Sequence, residues 1–185
     1  MTFKTLVGIV LGAMLANNYA LEKFLGAAPL LGWSTQEKKV TALGSSVTIA
    51  MFFTATLAAL VQEFVLDVHS LGYLQTLVYA AIVLIVVYAM ELVAKIGGKS
   101  LGIYFPIIAL NSAVLGIAVN NAADGLNLGM SMLTAWGAGM GFWLALAAFA
   151  AVRTKIRERY VPKAWRGLPI YLLTAAILSM ALLAF

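Results

Sequence analysis

The sequence contains no cysteine and only one histidine, His69. The first absence excludes disulfides, thiolate zinc sites and any iron–sulfur cluster held by the chain's own thiolates. The second excludes a haem clamped between two histidines of the same chain. Charge is scarce too: charged residues make up 10% of the 185 residues and hydrophobic ones 63%, against about 25% and about 45–50% in ordinary soluble domains. This is the composition of a chain whose solvent is lipid. Six spans of about 20 residues consume roughly 120 residues and leave roughly 65 for connections and tails, so no soluble catalytic domain fits beside them.

Charge near a bilayer centre costs at least about 2.5 kcal/mol on insertion scales, so charge-free stretches mark the spans. They are Thr5 to Leu21, resuming after Glu22 and Lys23 as Phe24 to Trp33; Val40 to Val61; Leu71 to Met90; Ser100 to Ala123; Leu126 to Val152; and Gly167 to Phe185. The expected fold is an all-α membrane protein of six helices in one integral-membrane domain, residues 1–185. The opening run follows Lys4 as a signal peptide would, but Asn17, Asn18 and Tyr19 precede Ala20 where a cleavage site needs small residues, so it is read as the first span.

The links after spans one, three and five hold Lys23, Lys38, Lys39, Lys95, Lys99, Arg153, Lys155, Arg157, Arg159, Lys163 and Arg166, while the opposite side holds Lys4 alone. The positive-inside rule makes the basic face cytoplasmic and places both termini outside. Trp33 and Trp165 beside cytoplasmic charges suit the headgroup level. The +5 net charge therefore reports topology and not nucleic-acid binding. The stretch from Arg153 to Arg166 reads either as an anchor on anionic headgroups or as a docking strip for an acidic partner.

Two spans are irregular. In the first, Glu22 and Lys23 interrupt the apolar run, and Gly26, Pro29 and Gly32 follow closely. Counted back from Trp33 at about 1.5 Å per residue, Lys23 on a continuous helix would lie roughly 15 Å deep. The alternative is a helix ending near Leu21 and a short half-span from Phe24 to Trp33. The fourth span carries a matching fault: Pro106 removes a backbone donor, and Asn111 and Ser112 follow. Ala28 precedes Leu31-Gly32 at the same spacing as Ser112 precedes Leu115-Gly116. Three spans separate the faults, so two such halves, approximately 1–95 and 96–185, would have opposite membrane orientation. Broken helices at corresponding positions of inverted halves point to a functional centre near the midplane, although small residues and prolines also serve helix packing.

Asn17, Asn18, Lys23, Asn111, Ser112 and Glu91 are the polar candidates for an ion path. Each also has a plainer role: Asn17 and Asn18 as caps or interhelical bonds, and Glu91 as the partner of Lys95 four residues on. Glu63, Asp67 and His69 read as a solvated outer loop. Gly139-Met140-Gly141 follows no strand and reads as a close-packing spot. The sequence contains no phosphate loop, nucleophile–base arrangement or zinc motif, hence no catalytic constellation of its own.

The segments LANNYALEKFLGAAPLLGWS, LGIYFPIIALNSAVLG and RERYVPKAWRGLPIYLLTA closely resemble the integral-membrane family shared by the Rnf complex, a ferredoxin:NAD oxidoreductase, and the sodium-pumping NADH:quinone oxidoreductase. The similarity spans nearly the whole chain. The short link between spans two and three and the outside termini look most like the A-type member of Rnf. The resemblance implies six helices in two inverted triplets, paired pseudo-symmetrically with a sister membrane subunit similar to the E-type member of Rnf. It also implies a 2Fe-2S cluster near mid-membrane, held by one cysteine in each broken motif and two from the sister. Those cysteines fall on Ala28 and Ser112 here. Alanine has no donor, and a serine oxygen is a poor substitute for a soft thiolate, so no cofactor is expected from this chain's own ligands.

The resulting expectation is a membrane subunit of an Rnf-like, redox-driven translocator of Na+ or H+, with the cluster site lost and the broken helices kept as an ion path or scaffold. A stand-alone secondary transporter is the alternative, since inverted triplets with broken helices serve it equally. A purely structural scaffold is the third.

Overall fold

The structure is a computed structural model that describes residues 3–26, 37–98, 102, 104–156 and 158–182. All regular structure among these residues is helical. Helix α1 (Phe3–Leu11) runs on as a π-helical turn, Gly12–Ala16. Helix α2 (Glu37–Val61) ends likewise in a π-helical turn, Gln62–Leu66. A 3-10 turn, Gly72–Leu74, leads into α3 (Gln75–Ile96); α4 (Tyr104–Ala109), α5 (Ser112–Ala123), α6 (Leu128–Lys155) and α7 (Leu168–Leu182) follow. Four segments are long and apolar enough to cross a membrane: Val40–Leu66, Gly72–Ile96, Tyr104–Ala123 and Leu128–Lys155. Val7–Ala16 and Leu168–Ala181 are shorter apolar helices. These six coincide with the six expected spans, and the all-helical, multi-span architecture follows from the apolar runs.

The fourth span breaks where Asn111 interrupts the apolar sequence, between α4 and α5. The first stops sooner than expected, at Ala16 and not near Leu21. Asn18 is the reason. Its Nδ2 donates to the carbonyls of Met14 at 3.0 Å and Gly141 at 2.9 Å, and its Oδ1 accepts from the amides of Ala20 at 3.0 Å and Leu21 at 3.1 Å. A buried side-chain amide thus replaces the helix's own ladder on both sides of the break, which apolar surroundings otherwise penalise.

Helix α6 is the centre of the bundle, packing chiefly on α2 and also on α1 with its π turn, on α5 and on α7. Small residues allow this. A Cβ on Gly137 would stand 2.7 Å from the Val10 carbonyl oxygen, one on Gly141 2.5 Å from that of Met14, and one on Gly139 2.7 Å from Thr48 Cγ2. Gly137 and Gly141, four apart, therefore receive the first helix, while Gly139 receives α2. Thr48 seals the second contact by sharing its hydroxyl proton between the carbonyls of Gly44 at 2.8 Å and Gly139 at 2.9 Å. Gly139-Met140-Gly141 is thus the close-packing spot its composition suggested.

Around this seam lies one large buried cluster that includes Leu43, Val47, Met51, Phe142, Leu146 and Phe149. A smaller one, with Leu66, Tyr79, Ile82 and Ala118, joins α2, α3 and α5. Outward faces of α2 and α3 expose Ile49, Phe53, Leu57, Leu84 and Ile85, as lipid or an apolar partner requires. At the basic end, the Arg153 guanidinium stacks 3.9 Å from the Tyr171 ring centroid and ties α6 to α7. Arg159, Lys163 and Arg166 beyond it are exposed.

Candidate functional site at the paired helix breaks

After Asn17 the chain leaves the helical path. Glu22 and Lys23 amides both turn back to the Asn18 carbonyl, at 2.9 and 3.3 Å, and the Leu25 amide reaches the Tyr19 carbonyl at 2.7 Å. Phe24 and Gly26 take positive φ values of 52° and 71°. This irregular segment lies along α5 in reverse register. Tyr19 Oη accepts from Asn120 Nδ2 at 3.2 Å; the Leu25 side chain covers Gly116, where a Cβ would meet it at 2.7 Å; and the Gly26 amide donates to Ser112 Oγ at 2.9 Å. A hydroxyl proton from Ser179 on α7 goes to the Leu21 carbonyl. The backbone groups freed by the break are therefore met by the Asn18 side chain and by side chains of α5 and α7, as membrane depth demands.

The second break is capped from within. Asn111 is the N-cap of α5, its Oδ1 accepting from the Ala113 amide at 2.9 Å. Its Nδ2 is buried and finds no hydrogen-bond partner among the described residues. A Cβ on Gly26 would stand 2.5 Å from Asn111 Oδ1 and 2.8 Å from the Phe142 ring. The glycine is required twice over, by its left-handed backbone and by the space.

The candidates from sequence separate into distinct groups. Ser112 and Asn111 meet Gly26 of the first break, so the two faults do come together. Ala28, Pro29 and Gly32 lie outside the described residues. Asn18 is buried with both polar atoms of its side chain engaged, a structural role. Asn17 and Lys23 line a different space, a cavity of about 270 Å³ shared with Tyr19, Asn121, Asp124 and Thr134. Lys23 is exposed, its Nζ 4.7 Å from the Tyr19 ring centroid, where a continuous helix would have buried it. Glu91 is buried, and Lys95 Nζ stands 3.4 Å from its Oε1, the plainer of the two roles. Asn111 and Ser112 face a third space of about 320 Å³, walled by Ala80, Val83, Leu84 and Leu115.

The cluster implied by the resemblance was tested against these groups. Ser112 Oγ is occupied by the Gly26 amide, the sequence holds no thiol, and among the described residues no three His, Cys, Asp or Glu side chains converge. These residues do not fit an iron–sulfur cluster. Sequence reasoning placed Gly26 in the first break without its partner, and missed Tyr19, Asn121 and Thr134 as site residues. One signal was available: Asn120-Asn121 repeats the Asn17-Asn18 pair, and Asn17 and Asn121 line the same cavity.

Comparison with known proteins agrees with this architecture. The family model described as Rnf-Nqr subunit, membrane protein, matches residues 6–185. The chain is 38% identical over 185 residues to the A-type subunit of the Na(+)-translocating ferredoxin:NAD(+) oxidoreductase complex of Acetobacterium woodii, covering 98% of this chain and 96% of that protein. It is 38% identical to the A-type subunit of the ion-translocating oxidoreductase complex of Syntrophotalea carbinolica, with the same coverage. The corresponding protein of an Azoarcus species is 35% identical over 181 residues, 96% of this chain and 94% of that one.

Proposed function

Because the chain belongs to the Rnf-Nqr family of membrane subunits, we propose that it is the A-type membrane subunit of an ion-translocating oxidoreductase complex that no longer carries the intramembrane cluster. The observation that carries the reading is the Gly26–Ser112 contact. Both broken motifs are retained and touch, yet a serine hydroxyl stands where a thiolate would be needed and is spent on the neighbouring backbone.

In this reading residues 1–95 and 96–185 are inverted repeats. The exposed apolar faces and the orphan Asn111 amide favour a pseudo-symmetric sister subunit, similar to the E-type member of Rnf, as the cover for the breaks. The chain is a multi-pass protein of the inner, cytoplasmic membrane, with basic loops cytoplasmic and both termini outside. Asn17, Lys23, Asn111 and Ser112 offer polar groups to an ion or water. Redox change in partner subunits biases which side is open by stabilising one of two arrangements.

The intact complex, purified with and without this chain and reconstituted in liposomes, tests the reading. Loss of redox-driven ion uptake on omission, restored by adding the chain back, is the expected result. Gradient-driven transport by the chain alone, with no redox donor, supports a secondary transporter instead. A stoichiometric 2Fe-2S paramagnetic signal assigned to this chain and its sister overturns the cluster-free clause.

A further inference from the structure

The cavity at Asn17 and Lys23 does not end at its own walls. Asn121 and Leu126 also line a second, smaller space of about 40 Å³, whose other polar lining comes from Gln62, Glu63, Tyr79 and Ser131. By size the second holds a water or two, since one water needs on the order of 10–15 Å³ of such space, and the first holds several. Asn121 is therefore the partition between the two spaces. Its amide is held at both ends: Nδ2 donates to the Ser131 carbonyl at 3.2 Å, and Oδ1 lies 3.1 Å from Thr134 Oγ1, whose single proton is shared with the Met130 carbonyl at 2.9 Å.

Each space is also rimmed by a π-helical turn. Gly12–Ala16 closes with Asn17 donating to the Gly12 carbonyl at 2.8 Å, and Gln62–Leu66 with Asp67 donating to that of Gln62 at 3.0 Å. Gly12 and Asn17 line the larger space, Gln62 and Glu63 the smaller. Each π turn ends its helix and takes the carbonyls there off the regular i to i+4 ladder.

We infer that the two spaces meeting at Asn121 form one hydrated passage that admits a small monovalent cation from the face bearing residues 67–71 and 124–127. The inference rests on the ion-translocating reading above and adds a site to it. The chemistry sets the class of ion. The charged groups facing the passage are Glu63, Asp124 and Lys23, a net single negative charge, and the remaining polar lining is rich in amide and hydroxyl oxygens. Hard oxygen donors suit an alkali cation or a proton-carrying water. A divalent ion demands more carboxylates and six to eight close oxygens. The breaks at Gly26 and Ser112 lie at the far end of α5 from this passage, eight to nine residues away from Asn120 and Asn121 along the chain.

The cysteine-free sequence permits a direct test in the assembled, resting complex without any redox donor, so the outcome is independent of whether the chain serves electron transport. Single substitutions Asn17→Cys in the larger space and Ala59→Cys in the smaller are compared with Ile85→Cys on the exposed apolar face of α3. Reaction of this chain's introduced thiol with Ag+, a thiol-reactive monovalent cation small enough for both spaces, is then timed in chloride-free buffer. Because thiols buried among apolar groups are inert and wet ones react, the first two are expected to react about tenfold or more faster than the third. Saturating Na+ is expected to slow them about twofold or more relative to N-methylglucamine at equal ionic strength and pH, by occupancy. Ala59→Cys reacting no faster than Ile85→Cys, or equal rates in Na+ and N-methylglucamine, overturns the passage. If Asn17→Cys fails to assemble, Gln62→Cys on the opposite rim reads the same quantity.

Discussion

The Gly26 amide and the Ser112 hydroxyl, 86 residues apart in sequence, are joined by a 2.9 Å hydrogen bond. This bond holds an irregular stretch of chain against the first turn of α5. It gives the serine a role that needs no cofactor: it satisfies a donor on a buried glycine that has no helix to return to.

Ser112→Ala removes that acceptor and leaves the donor stranded, which is expected to lower stability by about 1–3 kcal/mol. Ser112→Cys is expected to fall between wild type and Ser112→Ala, because sulfur is a weak acceptor. Thermal unfolding in detergent, with the three proteins compared under one condition, reads the order. An alanine variant as stable as wild type removes the structural role assigned to the hydroxyl.

Gly26→Ala combines a left-handed backbone worth about 1–2 kcal/mol with overpacking worth about 1–3 kcal/mol against Asn111 and Phe142. Gly125→Ala is its control: φ is 60° there, but no atom lies within 4 Å of the new Cβ, so only the backbone cost remains. The difference between the two losses, measured by unfolding, reports how tightly the breaks meet. Equal losses argue against close contact.

Asn18→Ala is expected to be more damaging than any single capping change on the surface, since four hydrogen bonds go at once and at least two buried groups lose their only described partner. A loss of about 2–4 kcal/mol follows from the cost of unsatisfied buried polar groups. Asn18→Asp is not expected to rescue it, because a carboxylate would face the Met14 and Gly141 carbonyls. Yield of folded protein after membrane extraction ranks the variants, and recovery with aspartate would contradict the donor assignment.

Gly141→Leu is expected to separate the first helix from α6 and prevent assembly, as a side chain there meets the Met14 backbone. Gly129→Ala on the same helix, with only Asn127 Oδ1 at 3.8 Å, is expected to be neutral or slightly stabilising because alanine favours helix. Co-purification of partner subunits with each variant checks the contrast.

How much of this was legible beforehand differs by residue. Lys23 could be placed off a continuous helix because the energy of burying a charge is local information. The end of that helix at Ala16 could not be placed, because it depends on Asn18 finding a carbonyl of α6, 123 residues away. The correspondence of the two breaks was visible as spacing, but which atoms touch was not: the partner of Ser112 is Gly26, and Ala28 lies outside the described residues. The passage at Asn121 was half visible in the repeated asparagine pair, and its significance depended on the π turns, which no periodicity announces.

By itself, then, the sequence determined the solvent, the number of apolar helices and the breaks in the first and fourth, since these follow from transfer free energies and backbone chemistry summed along the chain. The zero cysteine count likewise excluded a cluster held by this chain before any fold was known. Only the tertiary structure decided what the broken motifs do instead. Hydrogen bonds and small-residue contacts between segments 86 to 127 residues apart are set by how helices pack, and packing is a property of pairs of surfaces that no single stretch of sequence contains.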